Sequence, residues 1–166
     1  QKDTETLKGF LRELIKSYRD IETYRELKNL YSKEEFREVR FEIFSEFSYD
    51  DFLLKLYVEE HHWKSLLKNL SMRSDLNFLN MYEKQIPQEF EPAIVQAYKE
   101  ILERNALLVA NRNVYKEWAN TMIHMMEYDT GSQVVREMLN HWSRLYSSRR
   151  AMQEELQVVY RALSDE

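Results

Sequence analysis

The apolar residues of this 166-residue chain fall in a succession of helical stripes. Leu7, Phe10, Leu11, Leu14, Ile15 and Tyr18 recur at intervals of three and four, which marks one face of a helix over residues 4–18. Ile21, Tyr24, Leu27, Leu30 and Tyr31 carry the spacing to about residue 31, as the same helix bent or as a second one capped by Asp20. Ser32-Lys33-Glu34-Glu35 reads as a capping box: the Ser hydroxyl accepts from the Glu35 amide, and the Glu35 carboxylate reaches back to the Ser32 amide. The helix it opens buries Phe36, Val39, Ile43, Phe44 and Phe47. Phe41 lies off that stripe, so this helix is expected to be flanked on two sides.

Residues 51–60 and 63–71 predict a helical hairpin, with Leu53, Leu54 and Tyr57 on one arm, Trp63, Leu66, Leu67 and Leu70 on the other, and Glu-Glu-His-His at the corner. A short helix over 75–82 ends at Ile86-Pro87, where proline lacks an amide and its predecessor avoids the α region. Pro92 suits the first turn of a long helix that Ile94, Ala97, Tyr98, Ile101, Leu102 and Leu107 extend to about residue 110. Asn111 or Asn113 punctuates it. Helices over 113–127 and 132–146 follow, joined by the loop Asp129-Thr130-Gly131-Ser132, and a last helix runs from Ser148 through Met152, Leu156, Val159, Tyr160 and Leu163. Met122, Met125 and Met126 read as core filling.

Composition sharpens this to an all-α fold of about eight or nine helices. Two glycines and two prolines stand where average usage gives roughly 12 and 8. Hairpin-linked sheets need turn residues at positive φ, which Gly9 and Gly131 alone cannot provide. The length suits a single all-helical domain over 1–166, with no Gly-, Ser- or Pro-rich linker dividing it. No cysteine is present, which removes disulfides, thiolate metal sites and cysteine nucleophiles and suits a reducing compartment. The net charge of −5 is spread evenly, with 14 basic and 17 acidic groups over residues 1–83 and 10 and 12 over the rest, so no basic half advertises nucleic acid. No apolar run approaches the roughly 20 residues of a membrane span. The start, Gln1-Lys2-Asp3-Thr4-Glu5, has neither Met nor a signal core and reads as a piece cut from a longer protein.

Antiparallel helix pairs of this size build helical-repeat arrays. Leu54, Tyr57, Trp63, Leu66 and Leu70 have the spacing of a tetratricopeptide unit's packing positions, with His61 where such units favour a corner glycine. Val135 falls 69 residues after Leu66, close to two periods. Antiparallel hairpins stacked as a tetratricopeptide-like right-handed array are therefore expected. Residues 100–157 carry a more specific likeness. Asn111-Arg112-x-x-Tyr115, the Met122–Met126 helix, the Gly131 loop and Trp142-x-x-x-Tyr146-x-x-Arg149-Arg150-Ala151-Met152-x-x-Glu155-Leu156 resemble the helical C-terminal region of bacterial SWIM zinc-finger proteins. The sequence departs from that pattern in lacking a proline after Arg150. The resemblance implies a Cys-x-Cys…Cys-x-His zinc module elsewhere in the parent chain, and a cytoplasmic bacterial setting.

Few polar groupings point to chemistry. Glu59-x-x-His62 has the spacing of a di-iron ligand pair, but no second Glu-x-x-His exists, so no metal or other cofactor is expected. Arg136 and His141 fit the loose Arg-x4–6-His pattern of HEPN-type ribonucleases, in which Arg stabilises phosphate charge and His moves protons. The opposing reading is a surface Arg and a partly buried His. Trp142, Arg144, Tyr146, Arg149 and Arg150 interleave aromatics with cations and are the candidate partner-binding residues, able to stack bases or clamp a phosphate or carboxylate. Against this, Trp142 and Tyr146 are in register with Val135 and Leu139, which reads as core, and the arginines have acidic neighbours to pair with. No P-loop, dinucleotide glycine pattern, nucleophile elbow or His-Glu-x-x-His motif occurs.

The expectation is a non-enzymatic helical scaffold or protein-interaction module, binding a protein partner or other domains of its parent chain. Self-association through the first helix's stripe is also open to it. A nucleic-acid-associated module using the Arg149/Arg150 corner is the alternative, and a HEPN-like ribonuclease the lesser one.

Overall fold

The computed structural model describes residues 2–166, and every regular element among them is helical. Contacts cluster into two compact units, one ending at His62 and the other starting at Trp63. The boundary falls in the corner of the predicted hairpin, so its two arms belong to different units.

The first unit holds α1 (Lys2–Tyr18), α2 (Ile21–Lys28), α3 (Lys33–Glu46) and α4 (Phe52–Glu59). Its apolar stripes meet in one core built from Leu11, Ile15, Tyr24, Leu27, Phe36, Ile43, Phe47 and Leu56, with α1 against α2 and α2 against α4. The stripe over residues 7–31 thus splits into two helices at Arg19-Asp20. Arg19 takes φ 50° and its amide bonds the Ile15 carbonyl at 2.8 Å, a left-handed helix end, while the Asp20 carboxylate accepts from Thr23 N–H at 3.2 Å. Ser32 caps α3 by accepting from Glu35 N–H at 3.2 Å. The reciprocal bond of the capping box, from the Ser32 amide to the Glu35 side chain, does not form among the described residues. Phe41 is 73% exposed, so α3 is not covered on its second side.

The corner after α4 closes as a Schellman motif. His62 N–H reaches the Tyr57 carbonyl at 2.8 Å, His61 N–H reaches Val58 at 3.1 Å, and His61 sits at φ 56°. That left-handed residue stands where the tetratricopeptide spacing favours glycine.

The second unit holds α5 (Trp63–Ser71), α6 (Asn77–Tyr82), α7 (Glu91–Asn105), α8 (Arg112–Met125), α9 (Gly131–Leu145), α10 (Arg150–Glu155) and α11 (Gln157–Ser164), with two 3-10 turns around Pro87. Helix α7 packs against α5, α8 and α9 and buries Ile94, Val95, Ala97, Tyr98, Ile101 and Leu102; α8 also meets α10 and α11. Helix α7 ends at Asn105, short of residue 110, and the corner after it exposes Leu107, Leu108 and Val109 by 70% or more each. Asn111 is the residue that caps α8, accepting from Val114 N–H at 3.0 Å. Gly131 is the first residue of α9, not a loop residue at positive φ. A Cβ there would lie 1.6 Å from the Met125 carbonyl oxygen, so the helix start needs glycine for close approach of backbone.

No helix among the described residues is long and apolar enough to cross a membrane.

Candidate functional site

In the second unit the end of α7 organises the chain before α6. The Arg104 guanidinium donates to the carbonyls of Ser71 and Arg73 at 2.6 and 2.8 Å, and the Asn105 side chain donates to Ser74 at 2.7 Å. These bonds hold the segment between α5 and α6 beside α8, and a groove of about 820 Å³ opens there. Carboxamides line it: Asn77 and Asn80 from α6, Asn105 from α7 and Asn120 from α8, with Leu108 and Trp118 as apolar wall. The Asn77 and Asn120 side chains have no hydrogen-bond partner among the described residues, and Asn80 uses only its oxygen, accepting from the Tyr98 hydroxyl at 2.7 Å. An exposed amide offers a donor and an acceptor together, the complement of a peptide unit.

A second hollow of about 350 Å³ shares Asn80, Asn120 and Thr121 with the groove and is bounded further by Glu83, Lys84 and His124. Glu83 is buried. Its carboxylate accepts from the Tyr98 hydroxyl and, at 2.6 Å, contacts His124 Nε2. The other ring nitrogen of His124 lies 3.1 Å from Glu127 Oε2. Burial, and then the Glu83 charge and hydrogen bond, push the Tyr128 hydroxyl above its usual phenol range, which keeps it a donor toward Glu83.

Sequence reasoning missed this cluster. Tyr98 reads as one more stripe residue, Glu83 sits just before a proline break, and His124 comes 41 positions later. The one local signal is the run Met122, Ile123, His124, Met125, Met126, a histidine inside an otherwise apolar stretch.

The groupings singled out from sequence are placed as follows. Trp142 is 1% exposed and Tyr146 8%, both within the packing of the unit, so neither ring face is offered to a base. Arg149 lies over the Tyr146 ring at 4.0 Å and donates to the Ala106 carbonyl, tying the α9–α10 corner to the end of α7. Arg144 donates to Asn140 on its own helix at 3.3 Å, and the largely exposed Arg150 pairs with Glu154 at 3.2 Å. The five residues therefore divide into two core aromatics, one internal tie and two surface cations.

Arg136 pairs with Glu166 at 3.5 Å, and the shallow hollow beside it is lined by Leu139, Asn140 and Tyr160 without His141. His141 is exposed, where the opposing reading had it partly buried. Glu59 is held by the Arg25 guanidinium at 2.7 and 2.8 Å, and His62 packs edge-on against Phe44, so the Glu59/His62 spacing serves packing and an ion pair. No group of three or more His, Asp or Glu side chains able to hold a metal occurs among the described residues.

No family model, curated protein or solved structure matches the chain.

Proposed function

We propose that the chain is a non-enzymatic helical scaffold, tetratricopeptide-like in its stacking, whose second unit receives an extended segment of a partner protein in the carboxamide groove. The observation that carries this is the row of Asn77, Asn80, Asn105 and Asn120 along about 820 Å³ of open groove, with unused donors and acceptors in reach of a ligand backbone. Paired to main-chain amides, such side chains hold an extended polypeptide by its backbone and leave the choice of sequence to the side chains that meet the apolar wall. The exposed Leu108 adds an apolar contact for a side chain of the partner. Membership in a larger bacterial, cytoplasmic SWIM zinc-finger protein is part of this reading and rests on the residue pattern between 100 and 157 alone.

Panning a displayed library of linear peptides against the whole chain tests the groove. Enriched peptides are expected to lose at least tenfold in affinity with Asn120→Arg and with Leu108→Asp, both surface changes. Failure to enrich any peptide, or unchanged binding by both variants, overturns the reading.

A further inference from the structure

The first unit carries a cleft that the peptide-binding reading does not use. It is about 480 Å³, formed by the end of α2, the turn after it and the first turns of α3. Four cations line it, Lys28, Lys33, Arg37 and Arg40, and no acidic residue does, in a chain with five more carboxylates than cations. Lys33, Arg37 and Arg40 recur at the spacing that puts them on one face of α3.

The inner two cations are fixed. Lys28 Nζ lies 2.8 and 3.1 Å from the Glu60 carboxylate oxygens, and an Arg40 Nη lies 3.1 Å from the same carboxylate, whose side chain is 4% exposed. One carboxylate shared by two cations leaves the pair net positive, with guanidinium donors of Arg40 still unspent. The outer two, Lys33 and Arg37, are exposed and have no ion-pair partner among the described residues. Lys33 opens α3 and Arg37 follows one turn later, so two like charges sit four apart near the positive end of a helix. Both features oppose helix stability and are relieved by an anion.

The floor of the cleft narrows the ligand. Phe36 is buried, and the Tyr31 ring is covered by the Lys8 ammonium at 4.1 Å, so no free aromatic face remains for a nucleobase. What is offered is concave, multiply cationic and rich in N–H donors. We infer that this cleft binds an oligophosphate group, a chain or cluster of two or three phosphates, held by Arg40 and Lys28 within and clamped by Arg37 and Lys33 at the rim.

The test is calorimetric titration of the whole chain with sodium pyrophosphate at low ionic strength, with orthophosphate and sulfate alongside. Saturable one-to-one binding is expected for pyrophosphate, at least tenfold tighter than for orthophosphate or sulfate. The double change Lys33→Ala with Arg37→Ala should weaken it at least tenfold at unchanged helix content by circular dichroism, and Arg150→Ala should not. Cosedimentation with vesicles containing a bisphosphorylated phosphoinositide identifies the source. Loss of vesicle binding in the same double variant assigns a lipid headgroup; pyrophosphate binding without vesicle binding assigns a free oligophosphate. Absence of saturable pyrophosphate binding, or equal binding by the double variant, overturns the inference. Neither result bears on the groove of the second unit.

Discussion

Each of the two units encloses one glutamate, and the groups that answer it differ. In the first unit Glu60 accepts from the Tyr24 hydroxyl at 2.9 Å and is countered by Lys28 and Arg40, charges that persist at any physiological pH. In the second, Glu83 meets Tyr98, Tyr128 and His124, two neutral phenols and one ring that is charged only when protonated. Burial alone raises the Glu60 carboxyl, yet the hydrogen bonds from Lys28 and Tyr24 and the two cations outweigh it and hold it below its usual 4.5. The units also turn their corners differently. The first uses Arg19 and His61 at positive φ without any glycine, whereas the second needs Gly131 where two backbones meet. The first unit thus answers its enclosed glutamate with fixed charges and turns its corners on residues other than glycine; the second answers its own with phenols and a histidine and needs glycine where two backbones meet.

The largest effect that sharpens this contrast is Gly131→Ala. Its Cβ would overlap the Met125 carbonyl carbon at 2.5 Å as well as the oxygen, and backbone cannot step aside as a flexible side chain does. A loss of about 3 kcal/mol is expected. All three tryptophans, Trp63, Trp118 and Trp142, lie in the second unit, so urea unfolding followed by tryptophan fluorescence reads the loss where it arises.

Glu→Gln at both buried positions comes next. Glu60→Gln keeps a partner for Tyr24 but leaves Lys28 and Arg40 unanswered, and because both reach solvent the cost is about 2 kcal/mol rather than that of a stranded interior charge. Glu83→Gln still accepts from the phenols and can donate to a neutral His124, so about 1 kcal/mol is expected. Equal costs at the two sites, measured by urea denaturation, would break the comparison.

Acid separates the units in a third way. Glu59 is held low by its hydrogen bonds from Arg25, Asp50 by the Phe52 amide and then Arg19, and Glu60 as above. A carboxyl depressed in the folded state contributes stability above its unfolded value and loses it as pH falls through the folded one. The loss therefore begins near pH 4.5 and deepens below it, and all three groups are in the first unit. In the second, Glu154 beside Arg112 is the corresponding depressed group, and it lies at the surface. Far-UV circular dichroism should decline on acidification before tryptophan fluorescence responds.

What the sequence made legible was set by local physics. Asp20 and Ser32 each act on an amide three residues on and cap the helix their position predicts, while Asn111, one of two candidates for the break before α8, is found to cap that helix in the same way. The His61 corner was readable because a left-handed residue is demanded at a fixed offset from the helix end. Phe41 was misread because periodicity shows which residues are apolar and not whether a neighbour arrives to cover them. The carboxamide groove and the Glu83 cluster were invisible for a related reason: Asn80, Asn120, Glu83 and His124 converge through the packing of α6, α7 and α8, and no spacing along the chain encodes that meeting. The cationic cleft lies between. Lys33, Arg37 and Arg40 share a visible helical face, but Lys28 and Glu60 join them only in the fold.

The smallest expected effect concerns the other glycine. Gly9 lies in the interior of α1, is exposed, and a Cβ there meets nothing within 4 Å. Nothing in the folded unit requires glycine at this position, so Gly9→Ala keeps every contact and restricts only the unfolded chain. A gain of about 0.5–1 kcal/mol is expected, through the lower backbone entropy that alanine gives up on entering a helix. Paired with Gly131→Ala, the same single-carbon addition then changes sign between the units. If Gly9→Ala destabilises instead, in urea unfolding followed by circular dichroism, the exposed face of α1 around Leu7 and Phe10 is closed against something that a methyl group disturbs. Measuring the midpoint at two protein concentrations a hundredfold apart separates that outcome from a fault in the helix itself, because a second copy on this face makes the midpoint rise with concentration and a strained helix does not.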